Sequence, residues 1–224
     1  MRQEKIFTLF AAVVLLMGMA CKGRGPTKQD RIDAFNEAGW TSMEDGNFEE
    51  AYQEFLSAVG LDSNDVEANV GLGWSLILTG DPALSKAVNA LEKGTTSSSW
   101  QQDSWAGLAV VRLSQQEYWK ADSLAGLVLA ANASFTLDFY PLVDWRDLLV
   151  IQAQSLVFLG SYSLAWQAVQ PLLSETTDLR VGVPEGNLDP GSPATWIVNG
   201  TTFALYEAAL AEVIGILTNK YRQQ

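Results

Sequence analysis

The sequence has no histidine among its 224 residues and only one cysteine, Cys21. The commonest general acid–base group and the usual nitrogen ligand of zinc are therefore missing. A single cysteine cannot form an internal disulfide, so the fold must depend on packing. No Gly-x-Ser-x-Gly elbow, Ser-x-x-Lys pair or phosphate-binding glycine loop is present. We therefore expect no enzyme, no catalytic residue, no metal site and no cofactor.

Basic residues are scarce and unevenly placed. The chain has 14 lysines and arginines against 26 acidic residues, a net charge of −12. Six of the basic residues fall within residues 1–31, which carry +4, so residues 32–224 carry −16. Nucleic-acid phosphates are bound by clustered lysines and arginines, so this acidic body argues against a nucleic-acid partner. It also argues against a body lying on an anionic membrane surface.

Residues 1–20 have the pattern of an export signal, with a charged start and an apolar run from Ile6 to Met19. That run is too short for a spanning helix. The Ala20-Cys21 junction resembles a bacterial lipoprotein signal, in which the cysteine becomes the lipidated first residue, although Gly18 stands where leucine is usual. The alternative is an ordinary secreted protein with a free thiol.

A small residue recurs at a fixed interval. Gly39, Gly73 and Gly107 are each 34 residues apart, and Trp40 and Trp74 follow the first two. Each glycine lies in an apolar pattern of helical spacing, which a turn and a second helical pattern follow. We predict that each glycine marks a close contact between paired helices. A 34-residue period of helix–turn–helix units is typical of tetratricopeptide-type solenoids.

Four such units, from about Ile32 to Leu173, resemble the tetratricopeptide repeat family, with the later units matching less well. The resemblance implies an all-α fold, a TPR-like α-solenoid of about four helix–turn–helix repeats. Gly94 begins a predicted loop, GTTSSS, after the second unit. The first unit matches best, at Gly39, Gly46, Phe48, Ala51, Phe55 and Ala58.

The predicted organisation has five parts. They are a lipoprotein signal at 1–20, a flexible tether at 21–29, repeats at 30–173, a long loop at 174–199 and a C-terminal capping helix at 200–224.

The last helix, predicted from Thr201 to about Tyr221, is apolar nearly all round and should be buried on more than one side. It has the length to span a membrane, but Glu207 and Glu212 interrupt it, which favours a capping role.

Two acidic groups have the residue types of chemical sites. Asp144 and Asp147 lie one turn apart and are expected on a solvated helix face, because a glycosidase pair must flank a cleft. Glu185, Asn187 and Asp189 could bind calcium, but a polar loop is the simpler interpretation.

The family resemblance implies that the first helix of each unit lines a concave groove. This groove is mostly apolar and suits an amphipathic helix or an extended apolar segment. The alternatives are that some of these residues belong to the core, or that the chain's own last helix fills the groove. The predicted partner-binding residues are Trp40, Met43, Val70, Trp74, Ile77, Leu78, Leu108, Val111 and Arg112.

The function predicted from these patterns is that of a non-enzymatic envelope lipoprotein, a scaffold or adaptor for a protein partner. Lys22, not aspartate, follows the cysteine, which by resemblance to enterobacterial lipoproteins implies the outer membrane, facing the periplasm. The alternative is a small-ligand-binding solenoid beside a transporter, with a pocket lined by Trp40 and Trp74.

Overall fold

A computed structural model describes residues 25–80, 84–175, 179–182 and 196–222 of the chain. The predicted signal at 1–20, the lipidation site Cys21 and most of the tether lie outside the described residues. The acidic group from Glu185 to Asp189 also lies outside them. All of these stay predictions.

The described chain is an α-solenoid of four antiparallel helix pairs, which confirms the predicted fold class. Each pair is one repeat, and each second helix also packs against the first helix of the next repeat. The pairs are α1 (Lys28–Glu44) with α2 (Phe48–Leu61), α3 (Val66–Leu78) with α4 (Leu84–Gly94), α5 (Gln101–Ser114) with α6 (Tyr118–Ala131), and α7 (Trp145–Phe158) with α8 (Tyr162–Ser174).

Local signals set the helix ends. The hydroxyl of Thr27 accepts a hydrogen bond from the Asp30 amide, and the Asp30 carboxylate accepts one from the Thr27 amide. This reciprocal cap starts α1 at Lys28, two residues before the predicted start, and shortens the predicted tether accordingly. The turn between α1 and α2 contains Gly46 at a φ of 75°, a conformation that glycine adopts without strain.

The periodic glycines are places of close helix contact. The contact lies within the helix pair, as predicted, at Gly39 and Gly73, but Gly107 instead meets Leu91 and Trp74 of the preceding repeat. The ring of Phe55 on α2 lies where a side chain on Gly39 would extend, 2.7 Å from the position that a Cβ atom would take. The same ring lies against Gly71 of the next repeat, a glycine whose role the sequence did not indicate. In the second repeat Leu91 takes the place of Phe55 and fills the space between Gly73 and Gly107. In the first two repeats, one side chain of the second helix thus joins that repeat to the next.

Gly94 does not belong to a loop, as the sequence had suggested. It is the last residue of α4 and is buried. A side chain there would collide with the Ser104 hydroxyl and with Val70. Gly94 is therefore another contact between neighbouring repeats.

The region after α8 contains a small antiparallel sheet, which corrects the predicted loop at residues 181–182 and 196–198 and the predicted start of the last helix. Residues 176–178 and 183–195 of the predicted loop lie outside the described residues. Its order is β1 (Val181–Gly182), β2 (Trp196–Val198), β3 (Thr201–Phe203). Asn199 and Gly200 join β2 to β3 with φ values of 49° and 84°. Asn-Gly between two apolar runs is a strong signal for a two-residue hairpin turn, so Thr201 begins a strand and not a helix.

The last helix, α9 (Tyr206–Arg222), packs against α7, α8 and the sheet and covers the end of the solenoid. Its buried residues form one stripe, while Ala208, Glu212 and Gly215 on the opposite side are exposed. The expectation of burial on more than one side was therefore wrong. The opposite side can face solvent because much of it consists of small residues. Among the described helices none has the length and apolarity to cross a membrane. The buried stripe comprises Tyr206, Ala209, Leu210, Val213, Ile214 and Leu217.

Candidate functional site

The first helices of neighbouring repeats, α1, α3 and α5, contact one another and form a continuous layer, here called the inner face. All nine predicted groove residues lie on these helices. Five of them are core residues with at most 4% of their surface exposed, so the prediction of an open groove was wrong for them. The buried five are Met43, Val70, Trp74, Leu108 and Val111, and the half-buried four are Trp40, Ile77, Leu78 and Arg112.

The connection between α6 and α7 covers the inner face. This connection, residues 132–144, is here called the covering loop. The Trp145 amide donates to the Phe135 carbonyl at 2.8 Å, and the Leu137 amide donates to the Val143 carbonyl at 3.0 Å. These bonds close the loop at its base, and a Tyr140 to Leu137 backbone bond of 3.1 Å makes a turn at its tip.

Phe139 at the tip of the covering loop lies on the two tryptophans that the sequence had singled out. Its ring centroid is 4.5 Å from that of Trp40 and 6.0 Å from that of Trp74, and 5% of the residue is exposed. The neighbouring Tyr140 meets Phe48 edge to face at 5.3 Å. The covering loop, and not the last helix, therefore fills the space in front of the indoles.

Trp40 is the centre of an aromatic cluster on α1. Its ring stacks on Trp100 at 5.1 Å and meets Phe55 edge to face at 4.7 Å. Its indole nitrogen donates to Oε1 of Glu67 at 2.8 Å. Together with Phe139, these contacts leave Trp40 only partly exposed.

Trp74 occupies the equivalent place in the second repeat. Its indole nitrogen donates to the carbonyl oxygen of Asp103 at 3.1 Å, and 1% of the residue is exposed. Both indoles thus have their polar atom bonded within the fold and an aromatic ring in front of them. A small-ligand pocket lined by Trp40 and Trp74 is therefore filled by the chain itself.

The sequence contained a signal for the covering loop. The small residue of the fourth repeat, Ala153, lies 46 residues after Gly107, whereas the earlier interval is 34. The difference marks an insertion of 12 residues, and Phe135, Leu137 and Phe139 give it an apolar character. An apolar insertion of this length needs a surface to cover, and the inner face is the surface it covers.

Asp103 is the one strongly perturbed acid of the inner face. Burial raises its pKa to about 7, and the nearby carboxylate of Asp138 acts in the same direction. Asp138 is exposed near the tip of the covering loop. The loop therefore rests on the inner face through aromatic contacts and against electrostatic repulsion.

Arg112, the only cation among the predicted groove residues, already has partners. Its guanidinium lies 3.3 Å from a carboxylate oxygen of Glu92 and 3.3 Å from one of Glu117. It joins α5 to α4 and to the start of α6, which makes it a structural residue of the second and third repeats.

Asp144 and Asp147 form a helix cap rather than a solvated face. The Asp144 carboxylate accepts a 2.7 Å bond from the Arg146 amide, and the Asp147 carboxylate accepts a 3.0 Å bond from the Asp144 amide. Burial raises the pKa of Asp147 to about 6. Arg146 also pairs with Asp144 and with Glu175. Neither here nor elsewhere in the described residues is a group of three or more acids arranged to hold a metal ion.

Aromatic residues that the sequence analysis did not select are exposed where α6 begins and α7 ends. The Tyr118 and Phe158 rings stack at 4.3 Å with an interplanar angle of 7°. Phe158 is 66% exposed and the adjacent Trp119 64% exposed. Helical spacing placed all three near helix ends, but nothing in their pattern distinguished them from core residues.

The four helix pairs and the capping helix, with only a small sheet beside them in the described residues, define the chain as an all-α, TPR-like solenoid. No family model and no curated protein matches the sequence. Solved structures match it by shape. MamA of AMB-1, a tetratricopeptide-repeat protein, superposes in its P212121 crystal form with a TM-score of 0.53 at 19% identity, covering 66% of this chain and 74% of MamA.

A second crystal form of MamA, C2221, gives a TM-score of 0.52 at 19% identity over 64% of this chain and 78% of MamA. The structure of Pseudomonas aeruginosa PilF covers 66% of this chain and 78% of its own at 14% identity, with a TM-score of 0.40. At these identities the likeness to MamA concerns the fold alone, and the PilF match is too weak to add to it.

Proposed function

We propose that this protein is a non-enzymatic scaffold of the cell envelope, tethered by a lipid at Cys21, which holds a protein partner on the inner face of its solenoid. One observation carries the proposal. The inner face already holds a non-helical segment of polypeptide, the covering loop, through aromatic and aliphatic side chains. A surface that holds such a segment of its own chain has the shape and chemistry to hold one from a partner.

The alternative of a small-ligand binder has less support. A small-molecule site needs a concave pocket with a few convergent polar groups. Here the indole nitrogens of Trp40 and Trp74 are bonded to Glu67 and Asp103, and Phe139 lies against both rings. Peptide recognition by aromatic contacts is the function that this arrangement favours.

The proposed envelope location rests on the sequence before α1. Residues 1–20 have the pattern of a cleaved signal, and the chain from Cys21 to the cap at Thr27 spans at most about 20 Å when extended. A lipid on Cys21 would then hold the acidic body close to a membrane without inserting it. Outer-membrane attachment facing the periplasm is part of the same proposal.

The partner site can be tested by photo-crosslinking in cells. A benzoylphenylalanine placed at Ile77 or Leu78, both half-buried on the inner helix α3, should crosslink to one defined protein. The same probe at Gln53 or Ser57, exposed on the outer helix α2, is the matched control and should not. Equal crosslinking from both helices, or none from α3, would contradict binding on the inner face.

The anchor needs a separate test because it is independent of the partner site. The intact protein should incorporate radiolabelled palmitate and sediment with membranes. Cys21→Ser should do neither, while its circular dichroism spectrum stays that of the intact fold. A Cys21→Ser protein that remains with the membranes would contradict the proposed anchor.

A further inference from the structure

The covering loop is longer than the connection it makes. The other described connections between repeats are 62–65 and 95–100, of four and six residues. The covering loop has 13 residues between Ala131 and Trp145, so more than half of it is not needed to join α6 to α7. The additional residues form the part that lies on the inner face.

The loop is held to the inner face by side chains and not by its backbone. Its internal bonds join Phe135 to Trp145 and Leu137 to Val143, and Thr136 bridges to Asp144. Within the described chain, no hydrogen bond connects residues 132–144 with α1, α3 or α5. The loop could therefore leave the inner face without exposing an unpaired backbone donor on those helices.

The acidic groups beside the tip of the covering loop favour a basic side chain at position 138, where the loop has an aspartate. Asp138 lies near the mostly buried carboxylate of Asp103, whose pKa is raised by burial and by Asp138 itself. The Trp40 indole next to Phe139 is bonded to a third acid, Glu67. A segment with the same aromatic pair but a basic residue in place of Asp138 would fit the inner face with attraction instead of repulsion.

We propose that the covering loop is a built-in occupant of the inner face, and that a partner displaces it with a segment in which a basic residue precedes two adjacent aromatic residues. This inference rests on the proposed function, since it names the class of peptide that the scaffold binds. The loop would keep the aromatic surface covered until such a segment is present, at the cost of lowering the partner's apparent affinity.

The test uses the full-length protein and two fluorescein-labelled peptides, followed by fluorescence anisotropy at low salt. The first peptide has the sequence of residues 134–145, and the second carries Asp138→Lys. The double variant Phe139→Ala/Tyr140→Ala opens the inner face. The matched control is Tyr118→Ala/Phe158→Ala, which removes the stacked aromatic pair between the start of α6 and the end of α7.

The opened variant should bind the lysine peptide at least about ten-fold more tightly than the wild type and the control do, because it no longer has its own occupant. It should also prefer the lysine peptide to the aspartate peptide, and adding Trp40→Ala should remove the binding. Equal affinity of the opened variant, the control and the wild type, or absence of peptide binding by a folded opened variant, would overturn the proposal.

Hydrogen exchange of the wild type keeps the proposal testable if the opened variant does not fold. The amides of Leu137, Tyr140 and Val143 should exchange through a local opening, faster than the amides of α3. Exchange of these amides only through global unfolding would overturn the idea of a displaceable loop. Because the peptides have defined sequences, these tests can fail while crosslinking at Ile77 or Leu78 still identifies a partner, and the reverse also holds.

Discussion

Replacement of Gly73 by alanine tests the central packing feature of the solenoid. A Cβ atom at this position would lie 2.5 Å from Cγ of Leu91 and 3.3 Å from the carbonyl oxygen of Ala87. The near atom is the branch point of a fully buried side chain and not a flexible end. Leu91 cannot retreat, because its methyl groups already lie against Gly107. The clash must therefore be relieved by moving a helix.

The magnitude follows from two opposing effects. Overpacking of a core costs about 1–3 kcal/mol, whereas exchanging glycine for alanine inside a helix contributes about 1 kcal/mol of stabilisation. Because Leu91 cannot retreat, we expect an overpacking cost in the upper part of this range, about 2–3 kcal/mol. After the gain in helix propensity of about 1 kcal/mol, Gly73→Ala should lower the free energy of unfolding by about 1–2 kcal/mol. For a chain of this size that corresponds to a melting temperature lower by about 2–8 °C.

Gly215→Ala is the control, and its expected effect on the free energy of unfolding has the opposite sign. Gly215 lies in α9 and is exposed, and a Cβ atom there would meet nothing within 4 Å beyond the backbone of its own helix. Gly215→Ala therefore gains the helix propensity without a clash and should stabilise by up to about 1 kcal/mol. Gly94 cannot serve as a control, because its Cβ would collide with Ser104 and Val70.

Urea denaturation followed by circular dichroism measures both variants, and a double-mutant cycle identifies the cause. With Leu91→Ala in the background the clash is absent, so Gly73→Ala should become neutral or stabilising. If Gly73→Ala costs the same with and without Leu91, or if it stabilises like Gly215→Ala, the reasoning about repeat packing is refuted.

Three further predictions follow from the inner face and its covering loop. Phe139→Ala removes a core side chain and should lower the free energy of unfolding in urea by about 3–5 kcal/mol. Phe158→Ala removes an exposed ring and should cost no more than about 1.5 kcal/mol for the lost stacking contact. Equal costs would contradict the placement of the loop. The raised pKa of Asp103 means that the folded state holds its proton more tightly than the unfolded state. The free energy of unfolding should therefore fall as the pH rises from about 4 to about 7, by up to about 4 kcal/mol. Asp103→Asn should reduce this fall in urea titrations at several pH values, and an unchanged profile would contradict it. Trp74→Ala should destabilise the fold by about 3–5 kcal/mol, as measured by thermal melting, because the indole is buried; a cost below about 1 kcal/mol would indicate that the indole serves only an external ligand.

The repeat architecture was predictable because it depends on contacts between neighbours in sequence. Gly39 and Phe55 belong to one helix pair, so the spacing of small and large residues was enough to indicate the pairing. The helix α6 was predicted with both its ends, Tyr118 and Ala131, because turn residues and apolar spacing agree there. The signal, the lipid anchor and the partner are also sequence predictions, and they depend on residues and molecules beyond the described fold.

The hairpin between β2 and β3 was predictable in principle but was missed. Asn199-Gly200 between apolar runs is a local signal, and it was outweighed by the helical spacing of the apolar residues that follow. In the same way, the longer interval before Ala153 indicated an insertion but not which surface the inserted residues cover.

The sequence by itself determined the four helix pairs, their approximate ends and the acidic character of the body. Only the tertiary structure decided which side chains are accessible, because the inner face is covered by the connection between the third and fourth repeats. Phe139 lies 99 residues after Trp40 in the chain yet 4.5 Å from it between ring centroids. Helical periodicity reports which face of a helix is apolar but not which distant segment covers that face. The closed inner face therefore follows from long-range packing.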